Sequence, residues 1–428
     1  MIKIKTLVFI TFLIAAISCK QKVTNKVIDE RLKKLLEKKE YFSLQKDLVK
    51  NESQLSEDRI LFFNAVLNSA FGEREKSNNE IDALFQNYNK TLTDSITLQL
   101  LDIKAANYLY SYQYKKATLI YEQILNQYSK KLDSADIANY KNAKNLFGTF
   151  ATIKPQKIHK QKDLLLNSYR NKFNHLMSPV KVNSINEDFI FDTGANLSTI
   201  SESQAKKMKL KVFAQKVTIG SSTQKEVQSN LAVADSLYLG DILFENVLFI
   251  VMPDNQLTFP QINYSIKGII GFPVIHQLGE VHLKKDGKIF IPKLPSKKAE
   301  KNMFFEGLNP VVKVISSKDT LLFTFDTGAQ STELSFKYFN EHKTEVEKKG
   351  TKQTNERGGA GGKFAAKEYL LKNFPIVIGK NKTSLENIPV ILEEYNFNKY
   401  FDGNLGQDVF LKFNSLIINF ENMYIDFN

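Results

Sequence analysis

The chain is 428 residues long, 43% hydrophobic and 25% charged, with no Trp, a single Cys and a formal net charge of +13. That length exceeds the ~100–200 residues of one ordinary domain, so two or three cores are expected, and one Cys excludes both a disulfide-stapled scaffold and a cysteine-based zinc cluster. The excess of Lys and Arg is spread along the chain among acidic residues. It reads as a solvated basic surface and not as a nucleic-acid groove.

In chain order, the first expected element is an export signal at residues 1–18. Lys3 and Lys5 make a positive start, and residues 7–17 form an apolar stretch too short to span a bilayer as a mature helix. The stretch ends in Ala16-Ile17-Ser18-Cys19, which resembles the lipobox of bacterial lipoproteins, departing from it at Ala16, where a larger aliphatic is usual. The resemblance implies that Cys19 is the lipidated first residue of an exported, membrane-anchored protein of a bacterial cell envelope, on its periplasmic or outer-surface face. An ordinary secretory signal with an incidental Cys is the alternative. Removal of residues 1–18 takes away two Lys and leaves a net charge of +11, a body attracted to anionic lipid. A short tether at 19–26 would follow.

From 27 to 154 Leu, Phe, Tyr and Ile return every three to four residues among Lys, Glu, Gln and Asn, the period of amphipathic helices. The run Ala105-Ala106-Asn107-Tyr108, with Tyr112, Tyr114, Ala117, Tyr121, Ile124 and Leu125, resembles a tetratricopeptide repeat, with echoes around Tyr41 and between Ala65 and Leu84. A plain helical bundle fits the same pattern. This all-α domain is a possible binding surface for a protein partner. Residues 155–178 read as a linker.

Beyond Ser178 short Val, Ile and Phe runs are broken by Gly, Asn, Asp and Ser, an all-β composition. Phe189-Ile190-Phe191-Asp192-Thr193-Gly194-Ala195 is an apolar strand that delivers an Asp into a tight turn, and Leu322-Phe323-Thr324-Phe325-Asp326-Thr327-Gly328-Ala329 repeats it. One Asp-Thr-Gly is a weak signal, since these are common turn residues. The surroundings repeat as well. Pro179-Val180-Lys181-Val182 precedes the first copy and Pro310-Val311-Val312-Lys313-Val314 the second; Ile269-Ile270-Gly271 ends 79 residues after Asp192 (271 − 192) and Asn404-Leu405-Gly406 ends 80 after Asp326 (406 − 326). The spacing marks a duplication into two similar lobes, at 179–293 and 309–428, joined by a linker at 294–308.

The paired motifs, each followed by a hydrophobic segment ending in Gly, resemble those of aspartic peptidases of the retropepsin and pepsin type. The likeness covers 179–428, and the lobe size is nearer that of a retropepsin subunit. It implies two six-stranded-type β-barrel lobes with a cleft between them, Asp192 and Asp326 as the catalytic pair, and Thr193 and Thr327 hydrogen-bonded across the lobe junction. Asn404 departs from the pattern, standing where an aliphatic is usual.

The chemistry has its own physical basis. Carboxylates held about 3 Å apart cannot both ionise and share one proton, so one acts as base toward a water while the other acts as acid toward the carbonyl oxygen. Gly194 and Gly328 let backbone amides approach the carboxylates closely. Ala195 and Ala329 place a methyl where pepsin-like sequences have a hydroxyl. With that donor to the charged form missing, activity is expected at a milder pH than pepsin-like enzymes prefer.

Each lobe also has a candidate substrate-binding flap, a hairpin with a small-residue tip. One centres on Ile219, Gly220 and Ser221, the other on Gly358, Gly359, Ala360 and Gly361, where an extended polypeptide could pair as an added strand. The second is no phosphate loop, since Lys363 is followed by Phe364. The five His lack ligand spacing, and neither metal nor cofactor is expected. Two readings follow: a membrane-tethered aspartic endopeptidase, or a catalytically inactive peptide-binding or scaffold lipoprotein using the cleft and the helical domain.

Overall fold

The computed structural model describes residues 23–220, 226–297, 300–359, 362–394 and 400–428. Cys19, Ser221, Ala360 and Gly361 lie outside the described residues. The chain divides into two compact units, Met1–Phe63 and Asn64–Asn428, so the expected helical stretch 27–154 is shared between them.

Seven α-helices precede the first strand among the described residues: α1 (Lys26–Glu37), α2 (Tyr41–Asn51), α3 (Glu57–Ala70), α4 (Arg74–Asn87), α5 (Asp94–Tyr110), α6 (Tyr114–Tyr128) and α7 (Ser134–Thr149). Asn25, Thr93 and Asp133 cap α1, α5 and α7, their side chains accepting an otherwise orphaned backbone N–H. Three turns share one geometry. Lys39, Gly72 and Tyr112 each adopt a left-handed conformation (φ 56°, 81° and 56°), and the next residue's N–H donates five residues back: Glu40 to Leu35 O at 2.9 Å, Glu73 to Asn68 O at 2.7 Å, Gln113 to Tyr108 O at 2.8 Å. This is the Schellman termination, and it reverses the chain so that the following helix starts two residues after the left-handed one.

Within the first unit, Arg31 forks onto Asp47 at 2.6 and 2.9 Å and Arg59 bonds Asp29 at 2.6 Å, with Leu32, Leu44 and Leu48 buried. In the second unit, Tyr114 stacks on Phe147 with ring centres 6.3 Å apart. The helices there are joined to the β-rich part. The Tyr112 hydroxyl donates to Pro273 O at 2.7 Å, that of Tyr110 donates to Gly307 O, and Phe150 meets Phe213 edge-on at 5.6 Å. Residues 155–178, expected as a linker, carry the paired strands Lys157–His159, Leu164–Leu166 and Tyr169–Arg170 and the start of Leu176–Val182. Their lack of a long apolar run hid strands only two or three residues long.

Among the described residues, two six-stranded rings follow. The first runs Ile242–Met252, Ser198–Ser201, Gly268–Ile270, Ile185–Phe191, Leu176–Val182 and Glu226–Leu239, which closes back on Ile242–Met252. The second runs Asn309–Ser316, Asp319–Phe325, Gly403–Leu405, Glu333–Leu334, Asn381–Ile391 and Gly362–Ile378, which closes back on Asn309–Ser316. Closure removes exposed edges. Each motif strand lies parallel to its Gly-ending segment, with Ile190 opposite Ile269 in one lobe and Thr324 opposite Asn404 in the other. Alternate residues point inward, so Phe189 and Phe191 fill one barrel and Phe323 and Phe325 the other, all fully buried.

A third sheet spans the lobes. Its order is Leu164–Leu166, Ile289–Ile291, Glu280–Lys284, Ser415–Asn419 and Tyr424–Phe427, with Glu280–Lys284 of lobe 1 antiparallel to Ser415–Asn419 of lobe 2.

Candidate active site

Both motif strands end at the lobe junction, and the backbone there is held by the same bonds twice. Asp192 N donates to Ile270 O at 3.0 Å and Asp326 N to Leu405 O at 3.1 Å; Phe272 N donates to Ala195 O at 2.8 Å and Gln407 N to Ala329 O at 2.9 Å. Gly271 N donates to the Ser198 hydroxyl at 3.1 Å and Gly406 N to that of Thr332 at 2.9 Å. Each turn is thus pinned on both sides of its Asp by the Gly-ending segment.

Thr193 and Thr327 are buried and reach across the junction. The Thr193 hydroxyl accepts from Thr327 N and donates to Phe325 O, and the Thr327 hydroxyl accepts from Thr193 N and donates to Phe191 O, all at 3.0 Å. Four bonds satisfy both hydroxyls and two backbone donors that burial would otherwise leave unpaired. They fix the two turns face to face.

The half-buried carboxyls of Asp192 and Asp326 come together there, each lying against the glycine of the opposite lobe. Gly194 N donates to Asp192 Oδ1 at 2.8 Å; Gly328 N and Ala329 N donate to Asp326 Oδ1 at 2.8 and 3.0 Å. The glycines are required for a reason beyond amide approach. A Cβ on Gly194 would stand 2.5 Å from Asp326 Cγ, and one on Gly328 would stand 2.5 Å from Asp192 Cγ. Each glycine is the seat of the opposite lobe's carboxyl. Burial first, and then the neighbouring Asp326 carboxyl, hold Asp192 well above the usual carboxylate range, against the opposing amides of Gly194 and Ala195. A pair in this condition retains one proton where isolated carboxylates have lost theirs.

The two flaps are hairpins, Lys211–Gly220 with Glu226–Leu239 and Thr351–Gly359 with Gly362–Ile378. Ile219 pairs with Val227, Gly220 with Glu226, Gly358 with Lys363 and Gly359 with Gly362. Their attachments differ. Asn142 of α7 donates to Thr218 O at 2.8 Å and accepts from Thr218 N at 3.2 Å, serving both backbone groups as a neighbouring strand would. On the second flap Arg357 is paired with Glu333, beside the dyad, and with Glu368 at 2.7 Å. Burial foremost raises the Glu333 carboxyl, with Arg357 opposing.

Several of these residues carried no legible signal. Ser198 and Thr332 each stand six residues after their Asp, a match that the duplication contains. Asn142, Glu333 and Arg357 have no counterpart in a motif. Asp402 and Asp408 serve locally: Asp402 accepts from Leu322 N at 2.7 Å, and Asp408 from Thr332 N and Oγ1 at 2.9 and 2.6 Å. Among the described residues no group of three or more His, Cys, Asp or Glu is placed to hold a metal ion.

Residues 178–274 match the sequence model of the family described as Aspartyl protease, a span that contains Asp192 and Gly271. No curated protein matches the chain. The crystal structure of a retropepsin-like aspartic protease from Rickettsia conorii is similar at 16% identity, covering 32% of this chain and 94% of that one, with a TM-score of 0.22. The chain carries an N-terminal helical region followed by a β-rich, aspartic-peptidase-like domain.

Proposed function

We propose that the protein is an aspartic endopeptidase that hydrolyses peptide bonds of an extended polypeptide with the Asp192/Asp326 pair, tethered to a membrane of the cell envelope through lipid on Cys19. The observation that carries this reading is the reciprocal Thr193/Thr327 grip, which presents two carboxyls to one another, each against the opposite lobe's glycine, at the junction of two equivalent barrels. The ionised carboxylate takes a proton from a water whose oxygen attacks the peptide carbonyl; the protonated carboxyl donates to the developing oxyanion. No acyl-enzyme forms: on collapse the carboxyl that took the water's proton gives it to the leaving amine nitrogen, a hydroxyl of the tetrahedral intermediate returns its proton to the other carboxylate, and the pair again holds one proton. The flap hairpins offer strands along which a peptide backbone can pair. The three identical helical turns support reading the helical region as stacked helical hairpins of the repeat kind, a binding surface for a protein partner.

Cleavage of a denatured-protein library by wild type, Asp192→Asn and Asp326→Asn, with and without a statine-type transition-state mimic, tests the chemistry. Each substitution is expected to slow cleavage by about 10²–10⁴-fold, and the mimic to inhibit wild type. Equal cleavage by all three proteins would overturn the mechanism, and no cleavage by any would favour a peptide-binding scaffold. Palmitate labelling tests the tether: label on wild type and none on Cys19→Ser is expected, with the variant released from the membrane fraction.

A further inference from the structure

The two halves of the dyad are built on the same backbone but not on the same side chains. Behind Asp192 the facing pair is Ile190 and Ile269, both buried. Behind Asp326 the same register brings together Thr324 and Asn404. The Thr324 hydroxyl donates to Asn404 Oδ1 at 2.7 Å, which turns the amide so that Nδ2 faces Asp326 Oδ2 at 3.4 Å. Asp326 therefore has a side-chain donor that the matching isoleucine cannot offer Asp192. The backbone amides do not distinguish the two carboxyls, since those of Gly194 and Ala195 act on Asp192 as those of Gly328 and Ala329 act on Asp326.

We infer that Asn404, oriented by Thr324, is a positioning residue that fixes the shared proton of the dyad on Asp192 and leaves the charge on Asp326, making Asp326 the base that activates water. This rests on the peptidase reading above. A donor to a carboxylate favours its charged form, and the contact strengthens as charge develops. An apolar neighbour favours the neutral form. Asp192, which has isoleucines at the matching register positions and so no such donor, is the better home for the proton.

Other charges near Asp326 leave the direction in place. Asp192 faces it across the junction. Glu333, on the strand next to Asn404, opposes charge on Asp326 but is paired with Arg357, which is also held by Glu368. On the helix Gln407–Phe410, Asp408 is turned to Thr332, and Gln407 is bonded by Arg170.

The test uses the full chain with ¹³C-labelled Asp carboxyls, assigned through Asp192→Asn and Asp326→Asn, and compares wild type with Asn404→Ile, which copies lobe 1, and with Thr324→Val, which keeps shape but removes the orienting hydroxyl. In wild type, the Asp192 carboxyl is expected to keep the shift of a protonated group over a pH interval in which that of Asp326 is already ionised. Both variants should shrink that interval. The acid limb of kcat/KM should move up by about one pH unit in Asn404→Ile and by less in Thr324→Val. Unchanged carboxyl shifts in folded variants would overturn the inference, as would a wild-type proton resident on Asp326. If Asn404→Ile fails to fold, Thr324→Val decides. The carboxyl readout needs no turnover, so failure of the peptidase reading, seen as full activity in both Asp→Asn variants, is distinguishable from failure of this one.

Discussion

Asp192 sits beside a second carboxyl, and burial followed by that neighbour holds its proton well above the usual carboxylate range. The proposed mechanism needs one proton on the pair, so it would fail in acid when both are protonated and in base when both are ionised. A raised Asp192 moves the alkaline limb upward. The pH–rate profile for an unfolded substrate should therefore peak in mildly acidic to near-neutral buffer, and an optimum in strong acid would contradict it. Ala329 supplies a backbone donor at 3.0 Å but has no hydroxyl. Ala329→Ser, by adding one, should move the acid limb down by up to about one pH unit. At this scale the residues of the dyad were legible because two copies of Asp-Thr-Gly-Ala announce themselves. Asn404 was legible too, as a departure, but its meaning was not: only the facing Thr324 shows that the amide is aimed at Asp326.

At the scale of elements, the two flaps are controlled from different places. The first is held by a helix, through an Asn142 amide that imitates one rung of a β-ladder on Thr218. The second is held by the half-buried Arg357 and its pairs with Glu333 and Glu368. Asn142→Ala leaves Thr218 without those partners at a cost of about 1 kcal/mol. It should speed hydrogen exchange in residues 211–220 and raise KM several-fold with kcat little changed. Unchanged exchange in that strand would dismiss the link. The paired strands of both hairpins lie where the sequence placed candidate flaps. Their attachments could not be read there, because a polar side chain on a helix surface has no periodic signature when its partner is 76 residues away. The short strands of 155–178 were missed for a related reason. Two or three residues carry no alternation to count.

At the scale of the whole molecule, the sheet shared by the lobes depends on one buried carboxylate. Burial alone would raise Glu280, yet the bonds from His282 at 2.5 Å and from Ser296 Oγ at 2.6 Å hold it below the usual glutamate range. Ser296 N adds a third donor at 2.7 Å and Asn419 of the other lobe a fourth at 2.6 Å. A carboxyl whose folded-state pKa is depressed contributes stability that is fully present above its unfolded value, 4.5 for Glu, and is lost as pH falls through the lower folded value. Unfolding free energy should drop from near pH 5 downward, measured by urea titration, and Glu280→Gln should flatten that dependence while lowering stability at neutral pH. An unaltered slope in the variant would show that Glu280 is not the sensor. Duplication was readable from the spacing of the two motifs, and the barrels were what the resemblance of those motifs implied. This sheet was not readable, since its strands come from three separated segments and pair across the repeat boundary.

That shared sheet has a consequence for how the site can behave in a population of molecules. A cleft assembled from two separate chains exists only above the concentration at which they associate, and its halves must be identical. Here both halves are delivered by one chain and stitched by Glu280–Lys284 against Ser415–Asn419. Specific activity should therefore be indifferent to dilution, and each half is free to drift from the other. The Ile190/Ile269 and Thr324/Asn404 pairs are one such difference: the Asp326 carboxyl has an amide beside it, where the matching register positions behind Asp192 hold isoleucines.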